Sequence, residues 1–180
     1  LKRFNSFEAD TMDHATYGVK VLFEEGMIRQ FIEEDTWDDV IRTAIAKHSD
    51  YELTGITDER TLLHARLIRD ADKLDNCRVK LEDAMETLLD LSADEVGKYA
   101  ISPKVREDAF AGKCICSKDR RTPMDYWVSY VAYFYDLNFQ ETLDIVAEEQ
   151  YVKRIIGRVP YTNEQTKKTM EELERQLTEY

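Results

Sequence analysis

Residues 61–81 have the spacing of one long amphipathic helix, and this stretch constrains the fold more strongly than any other. Its apolar side chains recur at intervals of three, four and seven residues, at Leu63, Leu67, Ala71, Leu74 and Leu81. This spacing predicts that they form one buried helix face. Asp72 is expected at the edge of that face, where a carboxylate costs several kcal/mol unless it is paired or bound to a metal. Two interpretations stay open: an exposed acidic flank, or a metal ligand.

Few residues in the chain break helices, since its 180 residues include only 6 glycines and 3 prolines. A first helix is predicted to begin near Asp13 and to end at Gly26. Capping signals mark further helix starts at Thr36 with Asp39, Ser92 with Glu95, Ser102 before Pro103, Thr122 with Asp125, and Thr162 with Gln165. The alternation of polar and apolar residues that indicates strands is rare. We therefore predict an all-α fold.

The net charge of −12 limits the partners of the chain. An acidic surface disfavours nucleic acid polymers and anionic lipid, because binding their phosphates requires a basic surface. The most apolar stretch, residues 127–137, is shorter than the roughly 20 residues that span a bilayer, so we expect no membrane segment. The three cysteines, Cys77, Cys114 and Cys116, lack paired spacing, which favours reduced thiols and a cytoplasmic location.

Three residues with metal-ligating side chains lie at the edges of three successive predicted helix faces: His14, His48 and Asp72. We therefore expect these side chains to converge in the fold. His48 continues the apolar row of Ile41 and Ala44, so a satisfied core histidine is the alternative to a ligand.

The same residues carry a resemblance to a known family. His14 with Gly18, then His48, then the run Ala71-Asp72-Lys73-Leu74-Asp75-Asn76 resemble the second half of HD-superfamily metal-dependent phosphohydrolases. The first pair is similar to the His-x-x-x-Gly of two-metal HD proteins, and the run is similar to the Ala-Asp-Arg-Leu-His-Asn of HD domains that hydrolyse ppGpp. Over all 180 residues the chain resembles a group of uncharacterised bacterial HD proteins, through stretches 13–15, 41–45, 61–65, 122–123 and 136–139.

This resemblance implies an HD-domain-like helical bundle in residues 1–82 and a C-terminal helical extension in residues 83–180. It implies that His14, His48 and Asp72 ligate one or two divalent transition metal ions, Mn²⁺, Fe²⁺, Co²⁺, Ni²⁺ or Zn²⁺, with Mg²⁺ also compatible. The activity implied is hydrolysis of a phosphate ester, in a nucleotide or a small phosphorylated metabolite, by a metal-activated hydroxide.

Three further residues are candidates for binding the substrate. The resemblance implies that Asn76 faces it, with a polar surface position as the alternative. Arg69 is a candidate either for binding phosphate or for an ion pair with a neighbouring acid. Arg121 belongs to a basic loop, residues 113–121, which either attracts an anionic substrate or is simply solvated.

The chain departs from the family pattern because it has no His-Asp doublet. We expect residues upstream of Leu1 in the natural protein to supply the doublet, and we expect residues 1–180 alone to hold metal poorly and to be inactive. A partner that completes the site is one alternative. Another is a catalytically inactive HD-like helical sensor or protein-interaction module.

Aromatic side chains are dense between residues 126 and 134, at Tyr126, Trp127, Tyr130, Tyr133 and Phe134. Aromatic residues at helical spacing belong either to the core or to a contact between copies of the chain. In the second case the aromatic helices would form a homodimer, and a purely structural dimer domain is the third interpretation of this sequence.

Overall fold

Helices make up all the regular secondary structure in the part of the chain that the computed structural model describes, residues 13–179. The α-helices are α1 His14–Val19, α2 Asp38–Lys47, α3 Glu59–Glu82, α4 Met85–Leu89, α5 Ala93–Val96, α6 Pro103–Phe110, α7 Pro123–Val131, α8 Gln140–Glu148, α9 Tyr151–Ile156 and α10 Glu164–Glu179. Shorter 3-10 or π-helical segments are Lys20–Glu24, Met27–Gln30, Ser117–Asp119 and Ala132–Asp136. The predicted all-α fold is confirmed.

The chain divides into two compact units at a point inside α3, one spanning Leu1–Asp72 and the other Lys73–Tyr180. The resemblance implies a boundary ten residues later, after Glu82. Residues 1–12, which open the first predicted domain, lie outside the described residues. Between residues 13 and 179, none of the helices combines the length and the apolar character that crossing a membrane requires.

The first helix of the first unit begins and ends where the sequence predicts. The Asp13 carboxylate caps α1 by accepting from the amides of Ala15 at 2.9 Å and Thr16 at 3.0 Å. A π-helical segment, Lys20–Glu24, continues α1. Gly26 follows with a φ of +76°, a left-handed conformation that glycine adopts at little cost. The predicted start at Asp13 and stop at Gly26 are therefore confirmed.

The start of α2 differs from the prediction. Trp37 is its N-terminal cap residue, and the Trp37 side chain makes no capping hydrogen bond. The predicted capping box of Thr36 with Asp39 is therefore wrong. Asp38 in the first turn instead forms an ion pair with Arg29, which precedes the helix. A carboxylate in the first turn also interacts favourably with the positive end of the helix dipole, so α2 begins without a capping hydroxyl.

The predicted apolar face of α3 is only partly buried. Leu63 and Leu67 are 52% and 55% exposed, and Ala71 is exposed as well. Leu74 and Leu81 are partly buried and pack against the core of the second unit. The prediction of one continuous buried face is therefore wrong for the first half of the helix, within the described residues.

A different row of α3 is buried instead, and it is largely polar: Ala65, Arg69, Lys73, Cys77 and Lys80. The Lys73 ammonium forms an ion pair with Asp136 at 2.8 Å. The Lys80 ammonium lies 4.0 Å from the centre of the Tyr130 ring, a cation–π contact. Because charged groups are buried only when they are paired, these distant partners explain why the polar row can face inward.

The second unit contains a large apolar core to which α7 contributes centrally. Trp127 and Met124 are fully buried there, together with Ile155 and Leu173 from later helices. Tyr126 on the same helix is 39% exposed. Much of the aromatic surface of α7 is thus used within the chain, and the homodimer stays a prediction.

Two of the predicted capping signals are confirmed, and at a third, Ser102 before Pro103, the positions are right but the Ser102 side chain makes no capping hydrogen bond. Ser92 with Glu95 forms a reciprocal capping box at α5, and Thr122 with Asp125 forms another at α7. Pro103 occupies the first turn of α6, where its missing N–H costs no hydrogen bond.

The predicted cap of α10 is displaced by one residue. The side chain of Asn163, not that of Thr162, accepts a hydrogen bond from the Thr166 amide, at 3.0 Å. The Thr162 amide and hydroxyl both point to the Gly97 carbonyl oxygen, at 3.1 and 3.4 Å. The capping box of Thr162 with Gln165 is therefore wrong, because a tertiary hydrogen bond uses the hydroxyl that would have formed it.

Candidate metal centre

Two imidazoles and one carboxylate meet in the first unit, in the side chains of His14, His48 and Asp72. Each side chain offers one ligand atom, and the three atoms all lie within 4.8 Å of one another. His14 opens α1, His48 follows the last residue of α2, and Asp72 lies on α3. The convergence predicted from the sequence is thus observed, whereas ligation of a metal stays a prediction.

The two imidazoles face each other through their Nε2 atoms, which are 2.9 Å apart. The other ring nitrogen of His48, Nδ1, lies 2.7 Å from the carbonyl oxygen of Ile45. A carbonyl oxygen only accepts, so Nδ1 carries the hydrogen, and in the neutral ring Nε2 then carries the lone pair. A backbone carbonyl that fixes the tautomer in this way is the usual partner of a metal-ligating histidine.

The separation of the two Nε2 atoms can be compared with the geometry of a shared metal ion. With metal–nitrogen bonds of about 2.0–2.1 Å, two nitrogens bound to one ion would lie about 2.9–3.4 Å apart. The observed separation of 2.9 Å is at the lower end of this range, so the two imidazoles would fit as ligands of one ion.

Comparisons with protein-family models, curated proteins and solved structures found no match to this chain. The case for a function therefore rests on the geometry of this cluster and on the resemblance of the sequence motifs.

Asp13 holds the first turn of α1, in which His14 lies. Its carboxylate accepts from the Thr16 hydroxyl at 2.5 Å, in addition to the two amides that it caps. Hydrogen bonds from the Thr16 side chain and then from the Thr16 amide are the main reasons why the pKa of Asp13 falls below its ordinary value. His14 and Asp72 are exposed and His48 is partly buried, so a bound ion would be open to water and small ligands.

Arg69 contacts the end of α2. The residue is 4% exposed, and its guanidinium donates to three carbonyl oxygens: those of His48 at 2.9 Å, Asp50 at 2.5 Å and Tyr51 at 3.0 Å. The local sequence pattern could not show these contacts, because the acceptors are backbone atoms about twenty residues away. Phosphate binding and an ion pair stay predictions for Arg69.

The other two candidates for substrate binding belong to the second unit. Asn76 lies one helical turn beyond Asp72 on α3, and its Oδ1 accepts from the Lys80 ammonium at 3.3 Å. Arg121 is exposed, and its backbone amide donates to Asp125 at 2.8 Å. In the same basic loop, the Arg120 guanidinium lies 4.4 Å from the centre of the Tyr126 ring. Their roles toward a substrate stay predictions.

Two other side chains of metal-ligating type, those of His64 and Cys77, are not part of the cluster. His64 is exposed on α3 and lines an open surface depression with Glu59 and Arg66. Cys77 is buried, and burial raises the pKa of its thiol to about 12, which keeps it protonated and unsuited to binding a metal. All three cysteines are free thiols.

Proposed function

We propose that this protein is a metal-dependent phosphohydrolase of the HD type, acting on a phosphate ester of a nucleotide or small phosphorylated metabolite. The observation that carries the proposal is the meeting of His14, His48 and Asp72 from three helices, with ligand atoms within 4.8 Å. Two imidazoles and one carboxylate form a donor set that suits Mn²⁺, Fe²⁺, Co²⁺, Ni²⁺ or Zn²⁺, and Mg²⁺ less well.

The residues of the cluster have separate tasks in this proposal. His48 would bind the ion through Nε2, because its Nδ1 is held by the Ile45 carbonyl. Asp72 supplies an anionic oxygen, and the exposure of His14 and Asp72 leaves room for a substrate. When bound, a divalent ion lowers the pKa of a water ligand towards neutrality and offsets negative charge on the phosphate.

The overall charge makes a cation at this position necessary for such a substrate. The chain carries −12 at neutral pH, so its field repels an anionic ester from most directions. A bound cation reverses the sign locally.

Metal titration tests the cluster directly. Residues 1–180 are titrated with Mn²⁺ and with Co²⁺, and saturable binding, even if weak, is expected. His48→Ala should weaken that binding by about 100-fold or more, since loss of a residue that merely supports a ligand already costs about 10–100-fold. His64→Ala is the matched control and should change nothing. Equal affinities of the wild type and His48→Ala would show that the ion binds elsewhere.

Turnover is assayed on the full-length natural protein. A panel of phosphate monoesters, phosphodiesters and nucleotides is offered with Mn²⁺ or Co²⁺. We expect hydrolysis of at least one ester, loss of activity with a chelator, and loss of activity in Asp72→Asn. Hydrolysis that survives both the chelator and Asp72→Asn would contradict the proposal.

A second candidate, an inactive HD-like sensor or protein-interaction module, is favoured by one observation. Leu63 and Leu67, on the first half of α3, are more than half exposed, which is unusual for two leucines on one helix face. In that case the titration would show metal binding, but no ester would be hydrolysed by the full-length protein.

A further inference from the structure

The Arg69 side chain connects two of the helices that carry the metal-ligand candidates. It arises from α3, three residues before Asp72, and it ends on the carbonyl oxygens of His48, Asp50 and Tyr51. One terminal nitrogen, Nη1, donates to the first two of these carbonyls, and Nη2 donates to the third. Arg69 therefore joins α3, the helix of Asp72, to the backbone of His48.

The position of these carbonyls explains why an arginine is suited to the task. The last carbonyls of a helix have no intrahelical partners, and they form the negative end of the helix dipole. The His48 carbonyl lies at this end of α2, and those of Asp50 and Tyr51 belong to the segment that follows directly. The backbone of His48 has the ordinary right-handed conformation, with φ −63° and ψ −28°. A planar guanidinium can donate to several carbonyls at once, which a lysine ammonium does with less directional precision.

The histidine ring depends on the backbone that Arg69 holds. His48 is the cap residue of α2, where helices readily fray. Its Nδ1 bonds to the Ile45 carbonyl, and its Nε2 lies 2.9 Å from His14. A shift of the helix end by a fraction of an ångström would move Nε2 relative to both His14 and Asp72.

We propose that Arg69 is a positioning residue that fixes His48 relative to Asp72, and so sets the geometry of the metal-ligand cluster. The inference rests on the proposed function for its consequence in metal binding. The position of the His48 ring can be measured without any metal.

The chain offers a matched control in Arg158. This arginine also donates to carbonyls at a helix end, that of Lys80 in the last turn of α3 and that of Asp83 directly after α3, the latter at 2.9 Å. Arg158 belongs to the second unit. Substituting it removes the same kind of contact without touching the backbone of His48.

The experiment compares the wild type, Arg69→Lys and Arg158→Lys, each first checked for helical content by circular dichroism. Affinity for Co²⁺ is measured by titration, and the Co²⁺ absorption spectrum reports the ligand geometry. Arg69→Lys should weaken Co²⁺ binding by about 10–100-fold and alter the spectrum, whereas Arg158→Lys should do neither. In Arg69→Ala, millimolar guanidinium should restore part of the affinity.

NMR spectra of the histidine rings in the metal-free protein test the position of the His48 ring independently of metal binding. In the wild type, His48 should show one tautomer, with hydrogen on Nδ1. Arg69→Lys should shift or broaden the His48 signals while those of exposed His64 stay unchanged. Unchanged His48 signals would overturn the inference whatever the metal result.

The two proposals fail in different ways. If the wild type binds no Co²⁺, the proposed function is contradicted, and the NMR spectra alone decide the role of Arg69. If the wild type binds Co²⁺ and Arg69→Lys binds it equally well with the same spectrum, the positioning role is wrong while the metal centre stands.

Discussion

Replacing Asp125 with alanine is expected to lower the free energy of unfolding by about 3–5 kcal/mol, because several buried donors would lose their acceptor. The Asp125 side chain is fully buried. Its carboxylate accepts from the amide and hydroxyl of Ser102, at 2.7 and 2.6 Å, and from the amides of Arg121 and Thr122, at 2.8 and 2.9 Å. It thereby joins the start of α6 to the start of α7.

Urea denaturation measures this effect. The variant Asp125→Asn removes the charge but keeps the size of the side chain, so it shows which of the two matters. The amide keeps the size of the side chain, but one of its two acceptor oxygens becomes a donor, so it should recover only part of the loss. Asp94→Ala is the control, since Asp94 is an exposed acid in the first turn of α5 and should matter by less than about 1 kcal/mol. Similar unfolding midpoints for Asp125→Ala and Asp94→Ala would refute the structural role.

Replacing Gly97 with alanine is expected to destabilise the protein by about 3 kcal/mol or more, since the new methyl group has no space. A Cβ at Gly97 would lie 2.9 Å from the carbonyl carbon of Pro160 and closer still to its oxygen. The Gly97 carbonyl also accepts from the amides of Thr162 and Asn163, at 3.1 and 3.3 Å. The backbone of this glycine is therefore held against the segment that leads into α10 and cannot easily move away.

Gly18→Ala is the matched comparison for this prediction. Gly18 lies within α1, where a Cβ would be 3.4 Å from the Ile45 side chain, an ordinary contact. Alanine should be neutral or stabilising by up to about 1 kcal/mol at that position. Thermal or urea unfolding measures both variants, and a Gly97→Ala protein as stable as Gly18→Ala would mean that the close approach to Pro160 is not a constraint.

The helix starts and stops that were predicted correctly are those decided by neighbouring residues. The capping boxes at Ser92 and Thr122 bond to amides three residues later, and Gly26 supplies the left-handed turn after α1. Such contacts join residues that are close in sequence, so a short stretch is enough to predict them. The cap of α10 failed for the opposite reason, because the Thr162 hydroxyl points to the distant Gly97 carbonyl.

The buried face of α3 could not be predicted from spacing alone. Apolar periodicity identified Leu63 and Leu67, which are exposed, and overlooked Arg69, Lys73 and Lys80, which are buried. The partners that make burial of these charged groups tolerable lie far away in the sequence, such as Asp136 for Lys73. A pattern within one helix contains no information about them.

In the candidate site, too, local features could be predicted from the sequence and tertiary contacts could not. The order of His14, His48 and Asp72 on three helices was enough to predict their convergence. The Ile45 carbonyl that orients the His48 ring lies one turn earlier on the same helix, but its use depends on the rotamer of the ring. The contacts of Arg69 with the carbonyls of His48, Asp50 and Tyr51 are tertiary, so the pattern within α3 could not indicate them.

The division of α3 between two units has a consequence for local opening. In the described part of the first unit, the buried apolar side chains are Ala15, Ile28, Ala44 and Ala65, three of them methyl groups, whereas the second unit buries a large core that includes Cys77 of α3. Amide hydrogens in residues 59–72 should therefore exchange with solvent through cheaper openings than those in residues 73–82. A metal ion held by α1, α2 and α3 would add its binding free energy to the first half alone, so that loading the site would even out the exchange rates along a single helix.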